Sequence, residues 1–313
     1  MMRSLYSAIT GLKNHQISMD VIGNNIANVN TGGYKRERTS FATMLGQSIR
    51  GASAPDEAND PPAFGGTNGI MVGLGSTLGS VDKVMTQGSS QYTGKDTDMM
   101  IQGPGMFVLN LAGNTVFTRT GNFGFDKEGN LVDPSTGALV QGYESEYDTV
   151  EDAWAWSATT GNISYKLGDP HPLDVVGTDD EISDDGNNYD DFQLTSFSID
   201  QSGIVTGVYS DGISSTTAPM FQIAIAKFAN DAGLTSRGNN FFVESNNSGV
   251  PVIGGAGEDG RGNIVPNTIE MSNVDLSQEF TDMIVTQRGF QANSRVITVS
   301  DTILQELIDL KRN

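Results

Sequence analysis

The sequence predicts a multi-domain α+β protein in which paired, coiled-coil-type helices at the two ends of the chain flank a glycine-rich β body. Large apolar residues recur every seven positions near both ends, which is typical of a coiled-coil seam. Between the ends, short alternating apolar runs are separated by turns, and 38 of the 313 residues are glycine. Helical ends that can pair, with a β body between them, indicate a polymerising subunit rather than a catalyst.

The first element is a helix predicted from about Ser4 to Asn30, and Gly32 and Gly33 end it. Its apolar stripe steps by three and four residues and is broken only by His15. Residues seven apart lie on one face of a helix, so this stripe predicts a surface for pairing with another helix. The predicted N-terminal assembly seam consists of Leu5, Leu12, Met19, Ile22 and Ile26.

The last element is a helix predicted from near Asp275 to about Lys311. Asp275 is suited to cap this helix, and Gln278 stands three residues later in the capping-box position. The predicted C-terminal assembly seam consists of Leu276, Met283, Phe290, Ile297 and Leu304.

Polar residues also recur every seven positions beside the C-terminal seam, at Gln287, Ser294 and Asp301. One interpretation is that they set the register against a partner helix, as buried polar residues do in coiled coils. The other interpretation is that they lie at the wetted edge of the apolar stripe.

The middle of the chain predicts three further regions, of which the β body is the main one. Strands are expected around a Gly103-Pro104-Gly105 break, at Thr115–Arg119 and at Phe221–Phe228. The segments Phe123–Val132 and Phe197–Thr206 share a strand, Asp-x-x-Gly turn, strand pattern. This similarity indicates either two related hairpins or turn chemistry that is common in general.

These elements divide the chain into four predicted regions. They are a terminal helical domain (1–31 with 273–313), an extended connecting arm (32–92), a barrel-like or sandwich-like β body (93–145 with 192–272), and an inserted acidic outer lobe (146–191).

The formal net charge of −20 argues against non-specific binding to nucleic acid, which needs clustered cations. Residues 144–191 contain 14 acidic residues and one lysine, which predicts a solvated outer face. A calcium site is the alternative, but the run 179–186 lacks the ligand spacing of a calcium loop. The chain has no cysteine, which excludes disulfides, zinc thiolates and a thiol nucleophile.

Enzyme signatures are missing from the sequence. The two histidines, His15 and His171, have no nucleophile near them in sequence, and neither a Gly-x-Ser-x-Gly nor a His-Glu-x-x-His motif occurs. The spacing Gly255-x-Gly257-x-x-Gly260 fits a dinucleotide motif, but its surroundings predict a loop. We therefore predict no catalytic residue, no cofactor and no metal site.

The sequence predicts no membrane span, because no run approaches the roughly 20 apolar residues that a span needs. The N-terminal residues lack a continuous apolar segment, so we predict no cleavable signal peptide.

Three long motifs resemble bacterial flagellar rod and hook proteins. Met19–Lys35 resembles the N-terminal signature of that family, and Ser272–Ser294 resembles its C-terminal signature. Gln87–Phe107, continued by Phe117–Val132, looks like the shared central motif. The opening residues and Val72–Gly75 resemble hook proteins in particular, and an inserted lobe also favours a hook protein over a distal rod protein. Some similar hook proteins cross-link through a cysteine, and that chemistry is excluded here.

The resemblance implies a structural subunit of the flagellar hook, which polymerises into a curved, flexible tube that transmits motor torque to the filament for swimming motility. A distal rod subunit of the basal body is the near alternative, and a secreted adhesion or binding module is the distant one. The implied partners are further copies of the chain, distal rod, hook cap and hook–filament junction proteins, and the flagellar type III export apparatus. The implied location is the flagellum, outside the cell after export.

Overall fold

A computed structural model describes residues 2–54, 65–148, 153–164, 193–210 and 215–312. It shows a mixed fold with a helix near each end of the chain and mostly strands between them. The chain forms two compact units: Met1–Val29 with Arg36–Val84 and Val274–Asn313, and Asn30–Lys35 with Met85–Asn273. Most of the predicted acidic lobe, including the run 179–186, lies outside the described residues. The division into four regions stays a prediction.

The first unit consists of two long helices and two pairs of strands. Both helices begin and end within three residues of their predicted limits. The elements are α1 (Met2–Ala27), β1 (Glu37–Thr43), β2 (Gln47–Arg50), β3 (Ile70–Val72), β4 (Ser76–Lys83) and α2 (Leu276–Arg312).

The N-terminus of α2 carries the predicted cap. The Asp275 Oδ1 atom accepts hydrogen bonds from the backbone N–H groups of Ser277 (2.8 Å) and Gln278 (3.3 Å). The Gln278 side chain does not point back along the helix as a capping box requires. It donates instead to the Asp282 carboxylate at 3.0 and 3.1 Å, because residues four apart are neighbours on a helix surface. The predicted cap is confirmed, and the predicted capping box is wrong.

The predicted connecting arm contains a two-stranded ribbon. Strand β1 pairs antiparallel with β4, β2 pairs with β3, and a bridge between Ser53 and Thr67 continues the pairing. Polar side chains fasten the ribbon to α1. Asn14 donates to the Ser76 hydroxyl at 2.8 Å, and Asn25 exchanges two hydrogen bonds with the Glu37 backbone at 2.8 and 2.9 Å.

The described residues of the second unit form strands and one 3-10 turn (Asp231–Gly233). Its strands are β5 (Ser90–Tyr92), β6 (Met99–Gln102), β7 (Met106–Leu111), β8 (Asn114–Thr118), β9 (Gly124–Phe125), β10 (Leu131–Val132), β11 (Leu139–Asp148), β12 (Ala153–Trp156), β13 (Gly161–Asn162), β14 (Gln193–Ile199), β15 (Ile204–Ser210), β16 (Ser215–Ile223), β17 (Ile225–Lys227), β18 (Thr235–Gly238), β19 (Phe241–Val243), β20 (Val252–Gly254), β21 (Asn263–Pro266) and β22 (Thr268–Glu270).

One large antiparallel sheet dominates this unit. Its main path runs β14-β15-β16-β11-β7-β8-β19-β18, and the long strand β11 also pairs with β10, β12 and β13. Strands β6 and β21 form a separate pair, as do β5 and β22. The glycine-punctuated runs thus form the expected β body, while its barrel or sandwich form stays a prediction.

Both predicted Asp-x-x-Gly hairpins are present, as β9–β10 and β14–β15. Their turns share the same backbone hydrogen bonds: the glycine N–H donates to the aspartate carbonyl in Asp126–Gly129 (3.2 Å) and in Asp200–Gly203 (3.0 Å). Both glycines have positive φ, 88° and 73°, which a residue with a Cβ rarely adopts. The same turn geometry explains why the two sequence patterns look alike.

The predicted strand Phe221–Phe228 is wrong as a single strand. Strand β16 ends at Ile223 and β17 begins at Ile225, because the chain changes partners between them. Strand β16 pairs with β15 and β11, whereas β17 pairs with β7 and β20. The Ala224 N–H donates to the Gln141 carbonyl at 3.1 Å and remains satisfied at the break.

The core of the second unit is extensive and apolar. Residues from β6, β7, β8, β11 and β14–β17 contribute fully buried side chains, and the rings of Phe107 and Phe123 pack edge to face at 5.2 Å. A second cluster surrounds Phe117 and Phe228, whose rings are 4.9 Å apart.

Candidate assembly surface

The predicted N-terminal seam lies on α1, which packs against α2. Ile22 is buried, while Leu5, Leu12, Met19 and Ile26 are only half-buried. The side chains are therefore partly covered by the chain itself and keep area that another molecule can cover.

The predicted C-terminal seam has the same partial cover. Met283, Phe290, Ile297 and Leu304 are half-buried, and Leu276 is exposed. The polar residues Gln287 and Asp301 are exposed and Ser294 is half-buried, as expected for the wetted edge of the stripe within this chain. The structure packs the two helices that carry the seams against each other, and the role of the seams in assembly remains a prediction.

A second apolar stripe runs along α2, and the sequence analysis missed it. It is formed by Val285, Val296, Val299, Ile303 and Leu310, which are all exposed, with the exposed Ala292 between them. From Ala292 to Ile303 these positions step by four, three and four residues, and Val285 and Leu310 lie seven residues beyond the two ends, so all share one helix face, roughly a third of a turn from the seam. The three-and-four spacing was the available signal, and the small Ala292 in its middle obscured it.

A groove of about 250 Å³ lies between α1, β1 and α2 in the first unit. Val21, Ile22, Phe41 and Val285 give it apolar walls. The buried Glu279 stands at its side and accepts a hydrogen bond from Asn25 at 3.2 Å. Its other carboxylate oxygen lies 3.5 Å from an Arg36 nitrogen. Because these polar groups are paired, they position α2 beside β1 rather than offering a reactive group.

The second unit contains a buried ion cluster that the sequence did not predict. The Glu270 carboxylate, whose side chain is 0% exposed, lies 2.7 Å from Lys35 Nζ and 3.3 Å from Arg119 Nη1. It also accepts the Gly88 N–H at 2.8 Å. The three ionic residues are far apart in sequence, so no local spacing could reveal the cluster.

Backbone carbonyls complete the hydrogen bonding of both cations. Lys35 Nζ donates to Thr86 at 2.8 Å, and the Arg119 guanidinium donates to the carbonyls of Ile101 and Gly103 at 3.0 and 2.6 Å. Burial lowers the pKa of Lys35 and of Arg119, and the nearby Glu270 carboxylate opposes this shift in both. Because its side chains are buried and paired with one another, the cluster links distant chain segments and is not accessible to a substrate.

The remaining candidate residues of the sequence lie in a loop, on α1 or outside the described residues. Gly255–Gly260 forms a turn between β20 and β21, and no helix follows it, so the predicted loop is confirmed. Within the described part of the chain, no group of three or more His, Cys, Asp or Glu residues is placed to hold a metal ion. His15 lies on α1, and His171 is outside the described residues. Neither described helix is long and apolar enough to cross a bilayer.

Half-buried helical seams, an exposed second stripe and a packed β body are features of a structural protein. Comparison with known families gives the same class. The N-terminal residues 5–35 match the flagella basal body rod protein family, residues 100–207 match the D1 domain of the flagellar hook protein FlgE/F/G, and residues 265–310 match the C-terminal region of the flagellar basal body rod FlgEFG proteins.

Individual relatives align along the whole chain. The flagellar hook protein FlgE of Treponema pallidum is 32% identical over 471 aligned positions, with all of both chains covered. FlgE of Borreliella burgdorferi is 32% identical over 449 positions, covering 99% of this chain and all of the relative. The flagellar basal-body rod protein FlgG of Bacillus subtilis is 41% identical over 313 positions, again with all of both chains covered.

The chain belongs to the family of flagellar hook and basal-body rod proteins. It is a structural protein of the flagellum and not an enzyme, and its role in motility follows from that place. Membership implies polymerisation and association with other flagellar axial proteins. The hook relatives support a hook subunit, and the rod relatives support the distal rod alternative.

Proposed function

We propose that this chain builds the flagellar hook, a curved and flexible tube that transmits torque from the motor to the filament. The observation that carries the proposal is the exposed apolar stripe of α2, which stands beside a seam that α1 only half covers. Contiguous exposed apolar surface marks an interaction site, and covering one large aliphatic side chain contributes about 1.5–3 kcal/mol. Neighbouring copies are the occupants, since the family polymerises.

In the proposed tube, the terminal regions 1–31 and 273–313 form the inner wall, and the β body lies outside them. The predicted seam residues, such as Leu12 and Ile297, complete their burial against neighbouring copies. Contacts between two different faces of a subunit continue into a helical filament when the rotation between neighbours does not close a ring. The acidic segment 146–191 forms an outer lobe that faces solvent.

The proposed partners at the ends of the tube are the distal rod, the hook cap and the hook–filament junction proteins. We also propose that the chain leaves the cell through the flagellar type III export apparatus.

Substitution on the α2 stripe tests the proposal. Val299→Asp places a charge in the middle of the stripe, while Thr298→Asp adds the same charge at the neighbouring exposed position off the stripe. We expect Val299→Asp to abolish hooks, counted by electron microscopy of sheared preparations, and to abolish swarming. Thr298→Asp should retain both. Normal hooks with Val299→Asp would show that the stripe is not an assembly surface.

A distal rod subunit is the second candidate, and the alignment lengths favour it. The alignment with the T. pallidum hook protein extends over 471 positions, which is 158 more than the 313 residues of this chain. The alignment with the B. subtilis rod protein extends over 313 positions. Electron microscopy of basal bodies from a deletion strain separates the two candidates. Complete rods without hooks support the hook subunit, and truncated rods support the distal rod subunit.

A further inference from the structure

The apolar seams leave the register between α1 and α2 undetermined. The seam residues recur every seven positions on both helices. If α2 slides by seven residues along α1, each large apolar residue meets another large apolar residue. Apolar contacts alone therefore do not distinguish the observed alignment from its neighbours one heptad away.

Two close approaches between the helices do distinguish it. A Cβ atom built on Gly11 would lie 2.7 Å from Asn293 Nδ2, and one built on Gly289 would lie 2.6 Å from His15 Cε1. Each helix thus supplies one glycine notch and one polar side chain that fills the notch of the other. The notch and the polar side chain are four residues apart on both helices, so they lie on one face of each.

A third contact belongs to the same alignment. Asn25 donates to Glu279 at 3.2 Å in a buried position. Asn25 lies ten residues beyond His15 along α1, and Glu279 lies ten residues before Gly289 along α2. The helices are therefore antiparallel with one constant register over this length.

A slip of one heptad removes these contacts. His15 would then face Asp282 or Val296 instead of Gly289, and both residues carry a side chain where glycine leaves space for the imidazole ring. In the same slip Asn293 would face Ser4 or Ser18 instead of Gly11. Side chains at these positions hold the helices apart, because only glycine allows backbones to approach so closely.

We propose that Gly11 with Asn293 and Gly289 with His15 are the residues that determine the register of α1 against α2. The apolar seam supplies attraction, and the two reciprocal pairs choose one alignment. This assigns a role to two helix-interior glycines, which are otherwise unfavourable in a helix. Gly23, the third glycine in the described helices, has nothing within 4 Å of a built Cβ and serves as the matched control.

Disulfide trapping in the purified full-length chain tests the proposal, since the chain has no cysteine of its own. The native reporter is Gly11→Cys with Asn293→Cys. The built Cβ at residue 11 lies 3.2 Å from Asn293 Cγ, the position that a cysteine sulfur would take, and this suits a disulfide. The slip reporters are Gly11→Cys with Thr286→Cys and Gly11→Cys with Ser300→Cys. In each reporter the second pair, His15 with Gly289, remains to set the register.

We expect the native reporter to oxidise at least about tenfold faster than either slip reporter, measured on non-reducing gels. Adding Gly289→Leu, which fills the remaining notch, should reduce this preference to about twofold or less, while Gly23→Leu should leave it unchanged. The proposal would be overturned if the native and slip reporters oxidised at equal rates in the chain that keeps His15 and Gly289. It would also be overturned if the native reporter still oxidised faster after Gly289→Leu.

A double substitution that exchanges the histidine and the glycine between the helices controls for unfolding caused by Gly289→Leu. His15→Gly with Gly289→His moves the imidazole to α2 and the notch to α1, and it should restore the native preference. Gly289→His alone should abolish that preference. If the reversed chain stays unselective, the notches do not set the register, and the proposal fails whether or not the protein is a hook subunit.

Discussion

The two units of the chain bury apolar surface to very different extents. In the described residues of the first unit, Ala8 and Ile22 are the buried apolar side chains, and its other buried positions are polar, such as Asn14 and Glu279. The second unit contains two packed apolar clusters with many fully buried side chains. The second unit therefore has its own core, whereas the first leaves most of its apolar residues partly exposed.

This difference separates folding from assembly within one chain. Substitutions in the second unit should act mainly on the free energy of unfolding of the isolated chain. Substitutions on the exposed faces of the first unit should act mainly on polymerisation, because in the proposed tube these side chains are covered by neighbouring copies.

The largest expected effect is at the buried ion cluster. Glu270→Gln keeps the side-chain shape but removes the counter-charge that Lys35 and Arg119 contact directly, which should lower the free energy of unfolding by about 3–5 kcal/mol. Glu258→Gln is the control, since Glu258 pairs with Arg261 at 3.4 Å while its side chain is 68% exposed. That change should cost at most about 1 kcal/mol. Urea denaturation measures the free energy of unfolding of both variants. Equal losses of stability in the two variants would contradict the role of burial.

A pair of identical substitutions contrasts the two units directly. Phe107→Ala removes a fully buried ring and should cost about 3–5 kcal/mol in urea denaturation of the isolated chain. Phe280 on α2 is 50% exposed, so Phe280→Ala should cost the isolated chain much less. We expect Phe280→Ala to impair hook formation in cells instead. Comparable losses of stability at the two positions would remove the contrast.

Hydrogen exchange of the isolated chain should show the same contrast residue by residue. Backbone amides of β7 lie in the core and should exchange only through global unfolding. Amides in α2 beyond Ile303, where Leu307 and Leu310 are exposed, should exchange through local opening and much faster. Assembled polymer should protect these amides. Equal protection of β7 and the end of α2 in the monomer would contradict a helix that needs neighbours.

The smallest expected effect is at the turn of the hairpin β9–β10. The Asn130 side chain donates to Asp126 at 2.8 Å, and this hydrogen bond, with backbone N–H donors, lowers the pKa of Asp126 below its ordinary value of 3.8. Because the folded-state pKa is depressed, the contribution to stability is present above pH 3.8 and is lost as the pH falls through the folded value.

Titration of the Asp126 carboxyl by NMR measures this effect. Asn130→Ala should move its pKa back towards the ordinary value and weaken the turn, with little effect elsewhere in the chain. An unchanged pKa in that variant would show that the Asn130 side chain is not the main cause.

Patterns that are local in sequence predicted local structure correctly. The seven-residue repeats predicted both helices, and Asp275 predicted the cap of α2. The Asp-x-x-Gly turns predicted two hairpins, because a positive φ at glycine and hydrogen bonds within five residues are local requirements. The sequence resemblance, confirmed by relatives that span the chain, predicted the family and the structural role.

The sequence by itself therefore determined the helices, the hairpins, the absence of cysteine chemistry and the membership of an axial protein family. The tertiary structure decided the partner change at Ala224, the union of Lys35, Arg119 and Glu270, and the pairing of Gly11 with Asn293. These features depend on contacts between residues that are distant along the chain. No periodicity records such contacts, because each partner looks ordinary in its own segment and gains its role only when folding brings it to the other.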